Sequence, residues 1–144
     1  TFTGNVAQGC RVDNDDFPPV VDYSYGYGGA IFNYGDFNIK GSNLTHNQAA
    51  QGGAIYNQGT IIITDSNLNN NTASGTDGYG VDEGRGGAIF NHGGWYLTIT
   101  DSNLTYNTAG EYGGAIANNY RCTLTMANSN LICNRCSKTS CSIC

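Results

Sequence analysis

Hydrophobic and polar residues alternate along this chain in short runs, and the same run returns four times. Gly28-Gly29-Ala30-Ile31-Phe32-Asn33 is echoed by Gly52-Gly53-Ala54-Ile55-Tyr56-Asn57, Gly86-Gly87-Ala88-Ile89-Phe90-Asn91 and Gly113-Gly114-Ala115-Ile116-Ala117-Asn118. Each copy is followed by a second alternating run: Phe37 and Ile39, Ile61 and Ile63, Leu97 and Ile99, Leu124 and Met126. A third phrase then closes the unit: Ser42-Asn43-Leu44, Ser66-Asn67-Leu68, Ser102-Asn103-Leu104 and Ser129-Asn130-Leu131, with Asn47, Asn71, Asn107 and Asn134 three residues after each leucine. Period-two alternation marks strands with one buried face. First glycines 24, 34 and 27 residues apart mark stacked structural repeats. Three short strands in about two dozen residues leave no room for a helix. The pattern predicts an all-β fold: a right-handed parallel β-helix of about four coils over residues 28–134, each strand pairing with its equivalent one coil later.

Stacking also accounts for the asparagines. Equivalent residues in successive coils lie ~4.8 Å apart, the strand spacing. Amides at that distance can donate to and accept from one another, and asparagine tolerates the left-handed backbone of a tight corner. Two ladders are expected, Asn33-Asn57-Asn91-Asn118 and Asn47-Asn71-Asn107-Asn134. In the first strand of each coil, Ile31 pointing inward sends Phe32 outward. Phe32, Tyr56 and Phe90 then form an outward aromatic stripe, ending at Ala117.

Gly-Gly-Ala-Ile followed by Ser-x-Leu-x-x-Asn resembles the polymorphic outer-membrane protein repeat, which pairs a Gly-Gly-Ala-Ile phrase with Phe-x-x-Asn. Leucine stands where that family usually has phenylalanine, as in Leu104-Thr105-Tyr106-Asn107. The resemblance covers roughly residues 26–134. It implies a right-handed β-helix on a secreted or surface protein, commonly an adhesin or passenger domain.

Outside the repeats, residues 1–27 read as an N-terminal cap over the first coil's open edge, or as an arm that pairs with another subunit. The Pro18-Pro19 pair cannot sit in a central strand. Residues 75–85 are an insertion carrying Asp77, Asp82 and Glu83, and they read as a solvated loop rather than a calcium site. Six cysteines are present. Cys122, Cys133, Cys136, Cys141 and Cys144 crowd the C-terminal end, while Cys10 stands apart. The Cys133/Cys136 and Cys141/Cys144 pairs have a spacing superficially suited to zinc. An even total in a chain that reads as extracellular favours disulfides and a cysteine-rich C-terminal cap over residues 135–144. Among the fifteen connectivities a bridge between subunits stays open.

The 144 residues suggest one domain, with a thin continuous core. A net charge of −5 and only six scattered basic residues argue against nucleic acid and anionic membrane surfaces as partners. No apolar run reaches the ~20 residues that span a bilayer. A chain beginning at Thr1 is expected to have lost a secretory signal or to be a piece of something longer. Glycosylation sequons stand at Asn43, Asn70 and Asn103. Parallel β-helices include pectin lyases and polysaccharide hydrolases, so paired acids are candidates for catalysis. Asp65 and Asp101 repeat at one corner, but they read as turn residues, and no nucleophile accompanies His46 or His92. No metal or cofactor is expected. Thr98, Thr100 and Thr125 faintly resemble an ice-binding column, broken by Asn38 and Lys40. The sequence therefore points to a secreted structural protein that associates with copies of itself, as in a filament or surface layer. An adhesive or glycan-binding module is the alternative, and a polysaccharide-cleaving enzyme a more distant one.

Overall fold

The computed structural model describes residues 1–5, 11, 12, 22, 23, 26–75, 84–119 and 121–137. Within them every regular element is a strand, and four faces of parallel strands enclose a single core. The first face stacks Ile31–Asn33, Ile55–Asn57, Ile89–Asn91 and Ile116–Asn118. The second stacks Asp36–Lys40, Thr60–Thr64, Tyr96–Thr100 and Thr123–Ala127. Asn43–Thr45, Asn67–Asn69, Asn103–Thr105 and Asn130–Ile132 lie on the third face. Each coil carries a fourth, two-residue strand that the sequence pattern did not announce: Gln48–Ala49, Thr72–Ala73, Thr108–Ala109 and Arg135–Cys136. The result is a parallel β-helix.

Equivalent residues pair directly: Ile31 with Ile55, Ile55 with Ile89, and Ile89 with Ile116. On the third face Leu44, Leu68, Leu104 and Leu131 stand in file. Burial shows where the stack is complete. Ile55, Ile61, Ile63, Leu68, Ile89, Ile99 and Leu104 are wholly buried, each contributing about 1.5–3 kcal/mol of hydrophobic stabilisation. At the two ends the same columns open, with Phe37 42% and Leu131 36% exposed.

Corners are set by left-handed residues, again in file. Gly28, Gly52, Gly86 and Gly113 have φ of 61–66° at one corner. A second corner uses Gly41, Asp65, Asp101 and Asn128, and a third uses Gly4, His46, Asn70, Tyr106 and Cys133. Asp65 and Asp101 are thus exposed members of a corner column that glycine and asparagine fill elsewhere. On the second face Thr98 and Thr125 share a column with Asn38 and Ile62, whereas Thr100 stacks with Thr64, Lys40 and Ala127. The three threonines therefore do not form one file.

Parallel stacking is also seen before residue 28. Phe2–Thr3 pairs in parallel with the Asn43–Thr45 strand, Phe2 opposite Leu44, and extends the third face to five strands. Gly4 takes the left-handed corner and Asn5 stands above Asn47. Phe2-Thr3-Gly4-Asn5 thus already stands in the stack, and the segment read as a cap or arm opens inside the repeat. Arg11–Val12 and Asp22–Tyr23 form a separate antiparallel pair. Most of the 75–85 insertion lies outside the described residues.

Candidate functional site

No side-chain cluster of three or more potential metal ligands occurs among the described residues. What the repeats do assemble are hydrogen-bonded columns, an aromatic strip and two unlike ends.

Asn33 Nδ2 donates to Asn57 Oδ1 at 2.7 Å, Asn57 to Asn91 at 2.8 Å and Asn91 to Asn118 at 2.8 Å. The second column runs Asn5, Asn47, Asn71, Asn107, Asn134, with every amide donating to the next at 2.9–3.0 Å. Each Oδ1 in it also accepts the backbone N–H of the preceding asparagine, as Asn71 Oδ1 does from Asn47 N at 3.0 Å. A third column was not foreseen: Asn130, Asn103, Asn67 and Asn43 on the outer surface, donating in the opposite direction at 2.9–3.0 Å. Beside it Ser66, Ser102 and Ser129 present Oγ to the backbone N–H of the serine one coil before, each at 3.1 Å. The repeated Ser-Asn dipeptide carried that signal.

The sequon asparagines Asn43 and Asn70 are exposed, and Asn103 is half-buried inside the third column. Asn43 ends that column, its Oδ1 accepting from Asn67 Nδ2.

The aromatic stripe departs from its expected exposure. Phe32 is 43% exposed, but Tyr56 and Phe90 are buried. Phe32 stacks on Tyr56 at 5.1 Å, and Tyr27 packs 4.4 Å from the Tyr56 ring. Phe90 meets His92 at 5.3 Å, and the Arg85 guanidinium lies 5.9 Å over Phe90 and 5.7 Å over Tyr112, a cation–π arrangement. Burial, then the Tyr27 and Tyr34 hydroxyls, push the Tyr56 phenol up from 10.0 to about 12, against the hydrogen bond from Gln58. Sequence reading missed the covering residues. Their signal was position, since Tyr27, Gln51, Arg85 and Tyr112 each immediately precede a Gly-Gly pair and bridge two by two. Open aromatic surface persists at the neighbouring corner, where Tyr34 is 71%, Trp95 43% and Tyr96 57% exposed.

Cysteine pairing also needs correction. Cys122 and Cys133 are free thiols, so full pairing of the six does not hold. Cys133 sits exposed at a left-handed corner, and Cys122 Sγ accepts from Gly94 N–H at 3.2 Å. Cys136 is disulfide-bonded, whereas Cys10, Cys141 and Cys144 lie outside the described residues.

At the C-terminal end a groove of about 510 Å³ opens onto the core columns, floored by Ile116, Leu124, Met126 and Leu131. At the N-terminal end Phe2 and Phe37 are exposed at 41% and 42%. No helix of the described residues is long and apolar enough to cross a membrane.

Residues 1–34 match the Chlamydia polymorphic membrane protein (Chlamydia_PMP) repeat. That segment contains Phe2-Thr3-Gly4-Asn5 and Gly28-Gly29-Ala30-Ile31, the two phrases of the repeat, and the fold places them in successive coils. The match covers 34 of the 144 residues and is to a repeat of membrane proteins. No curated protein and no solved structure matches the chain.

Proposed function

We propose that this chain is an extracellular, non-enzymatic β-helical scaffold, displayed at a cell surface, that associates with copies of itself through the ends of the solenoid. One observation carries the reading: core columns sealed in the middle coils are open at the ends, where Phe2, Phe37 and Leu131 are exposed. Apolar side chains and unpaired strand edges at the same place favour association. A contact between unlike ends does not close on itself and builds a filament. Secretion, a cysteine-rich C-terminal cap and glycans on Asn43, Asn70 and Asn103 fit this reading and belong to it as proposals. Sedimentation velocity of the 144-residue chain, with and without reductant, tests it. Species growing with concentration support end contacts. A monomer at every concentration removes the reading, and loss of the large species in reductant assigns them to thiol bridges instead.

A second reading rests on the open aromatic corner at Tyr34, Trp95 and Tyr96. Exposed rings offer flat apolar faces for sugars, so an adhesive, glycan-binding role is the alternative. Retention on immobilised glycans, lost in a Trp95→Ala variant, favours it. Release of sugar fragments during the same assay points to an enzyme.

A further inference from the structure

Left-handed backbone suits glycine and is tolerated by asparagine and aspartate. Two of the three corner columns obey that rule: one is Gly28, Gly52, Gly86 and Gly113, the other Gly41, Asp65, Asp101 and Asn128. The third breaks it. After Gly4 it carries His46, Asn70, Tyr106 and Cys133, at φ of 54–57°. Bulky side chains held in a left-handed conformation point to a use for them there.

A polar groove of about 510 Å³ runs along this same corner, within the ~300–1,000 Å³ of small-ligand sites. Asn70, Tyr106 and Cys133 form one wall, and Thr72, Thr108 and Arg135, stacked in register on the fourth face, form the other. Each facing pair flanks a buried asparagine of the second column in sequence, as Tyr106 and Thr108 flank Asn107, so both members turn outward. Coils spaced by ~4.8 Å bring the six side chains together.

The lining combines two kinds of chemistry. Asn70, Thr72 and Thr108 offer an amide and two hydroxyls beside the exposed ring of Tyr106. Arg135 supplies a guanidinium, and no lining residue is a carboxylate. Its Nε donates to Thr108 Oγ1 at 3.4 Å, which draws the head group over the neighbouring coil and leaves its terminal nitrogens without a partner among the described residues. In a chain of net charge −5, a guanidinium facing a groove in this way is a place for an anion. The flat ring and the hydroxyls around it suit a sugar.

We propose that this groove binds an acidic sugar, a pyranose unit bearing a carboxylate or a sulfate. The anion sits on Arg135, a C–H face of the sugar lies on Tyr106, and its hydroxyls meet Thr72, Thr108 and Asn70. The site is on a different corner from Tyr34, Trp95 and Tyr96, and it stands whether or not copies associate.

Calorimetric titration of the full 144-residue chain tests it. The probes are an oligogalacturonate, a sulfated galactan oligosaccharide, and the neutral counterpart of each, methyl-esterified or desulfated. A glycan on Asn70 would fill the same space, so the chain is produced without N-glycosylation. At least one acidic probe should bind about tenfold more tightly than its neutral counterpart, and the two arms identify the anion. Arg135→Gln should remove that preference. Tyr106→Gly should weaken binding about tenfold with an unchanged or higher melting temperature, since Gly4 already fills this corner. A tyrosine with only a structural role would lower the melting temperature and leave binding alone. Trp95→Ala should bind as the native chain does. Equal affinity for acidic and neutral probes, or no binding of either acidic probe, overturns the proposal. Native affinity in Arg135→Gln or Tyr106→Gly overturns it too, and loss of binding in Trp95→Ala moves the sugar to the other corner. Inorganic sulfate that competes at the same concentration as the sugar also overturns it, because the groove then holds only a bare anion.

Discussion

At the scale of single residues, the buried asparagines set the terms. Asn71 uses its whole amide: Oδ1 accepts from Asn47 N and Nδ2, and Nδ2 donates to Leu44 O and Asn107 Oδ1, all at 3.0 Å. Removing it takes the side-chain partner from Asn47 N and Leu44 O, while Asn47 Nδ2 keeps Phe2 O and Asn107 Oδ1 keeps the residue-71 backbone N–H; each buried group left unmet costs about 1–3 kcal/mol. Asn71→Ala should therefore destabilise the chain by about 3–5 kcal/mol, read as a lower urea midpoint at unchanged slope. A loss below about 1 kcal/mol would show that water substitutes freely for the ladder. Tyr56 supplies a pH signature. Its folded pKa of about 12 lies above the free value of 10.0, so the unfolded chain releases this proton first. The associated stability is complete below pH 10 and disappears as pH rises toward 12. Absorbance at 295 nm should show a late-titrating phenol that Tyr56→Phe removes. These two residues also mark what sequence can say. The asparagine spacing announced the ladders, because a column needs only periodicity. The burial of Tyr56 depends on Tyr27, which sits outside the repeated phrase.

Elements are decided by glycine, for a reason that differs between the two glycines of each pair. The first takes a left-handed corner. The second lies where coils approach backbone to backbone: a Cβ on Gly53 would meet Gly87 O at 2.1 Å and Thr72 N at 2.6 Å. Neither contact can yield as a flexible side chain would, so Gly53→Ala should cost more than the ~1–3 kcal/mol of ordinary overpacking. Gly35 faces open space, and Gly35→Ala should lie within about 0.5 kcal/mol of the native chain, as surface substitutions do. Thermal melts followed by circular dichroism compare the two, and similar midpoints would refute the close-approach argument. The paired glycines were plain in the sequence. The fourth strand was not, because Gln48–Ala49 and its equivalents span only two residues and alternation cannot be read from two. Phe2-Thr3-Gly4-Asn5 went unread for a related cause. It carries the phenylalanine that the other copies replace by leucine, and residues 6–27 separate it from Gly-Gly-Ala-Ile.

At the scale of the whole molecule, coils contact only their neighbours, so stability is approximately a sum over coils and their interfaces. Length is then adjustable in whole coils and in no other unit. Coils one and two are offset by 24 residues with Asn43 opposite Asn67 and Leu44 opposite Leu68. Excising residues 43–66 joins Ser42 to Asn67 and preserves every column: Phe2 then stands over Leu68, Ile39 keeps its place beside the serine corner, and the first asparagine column continues from Asn33 to Asn91. The shortened chain should fold with an unchanged β-sheet spectrum and a lower melting temperature, having lost one coil's share of buried apolar surface. Excising only residues 55–66 removes half a coil. It sets the face-three strand Asn67–Asn69 where Ile55–Asn57 belongs, placing Asn67 and Asn69 against the Ile31 and Asn33 columns. Buried isoleucine and asparagine files are then broken together, and the chain should fail to reach the native spectrum. If both deletions fold equally well, direct stacking of equivalent residues is not what holds the molecule together. If neither folds, the coils are not the additive units that their nearest-neighbour contacts imply.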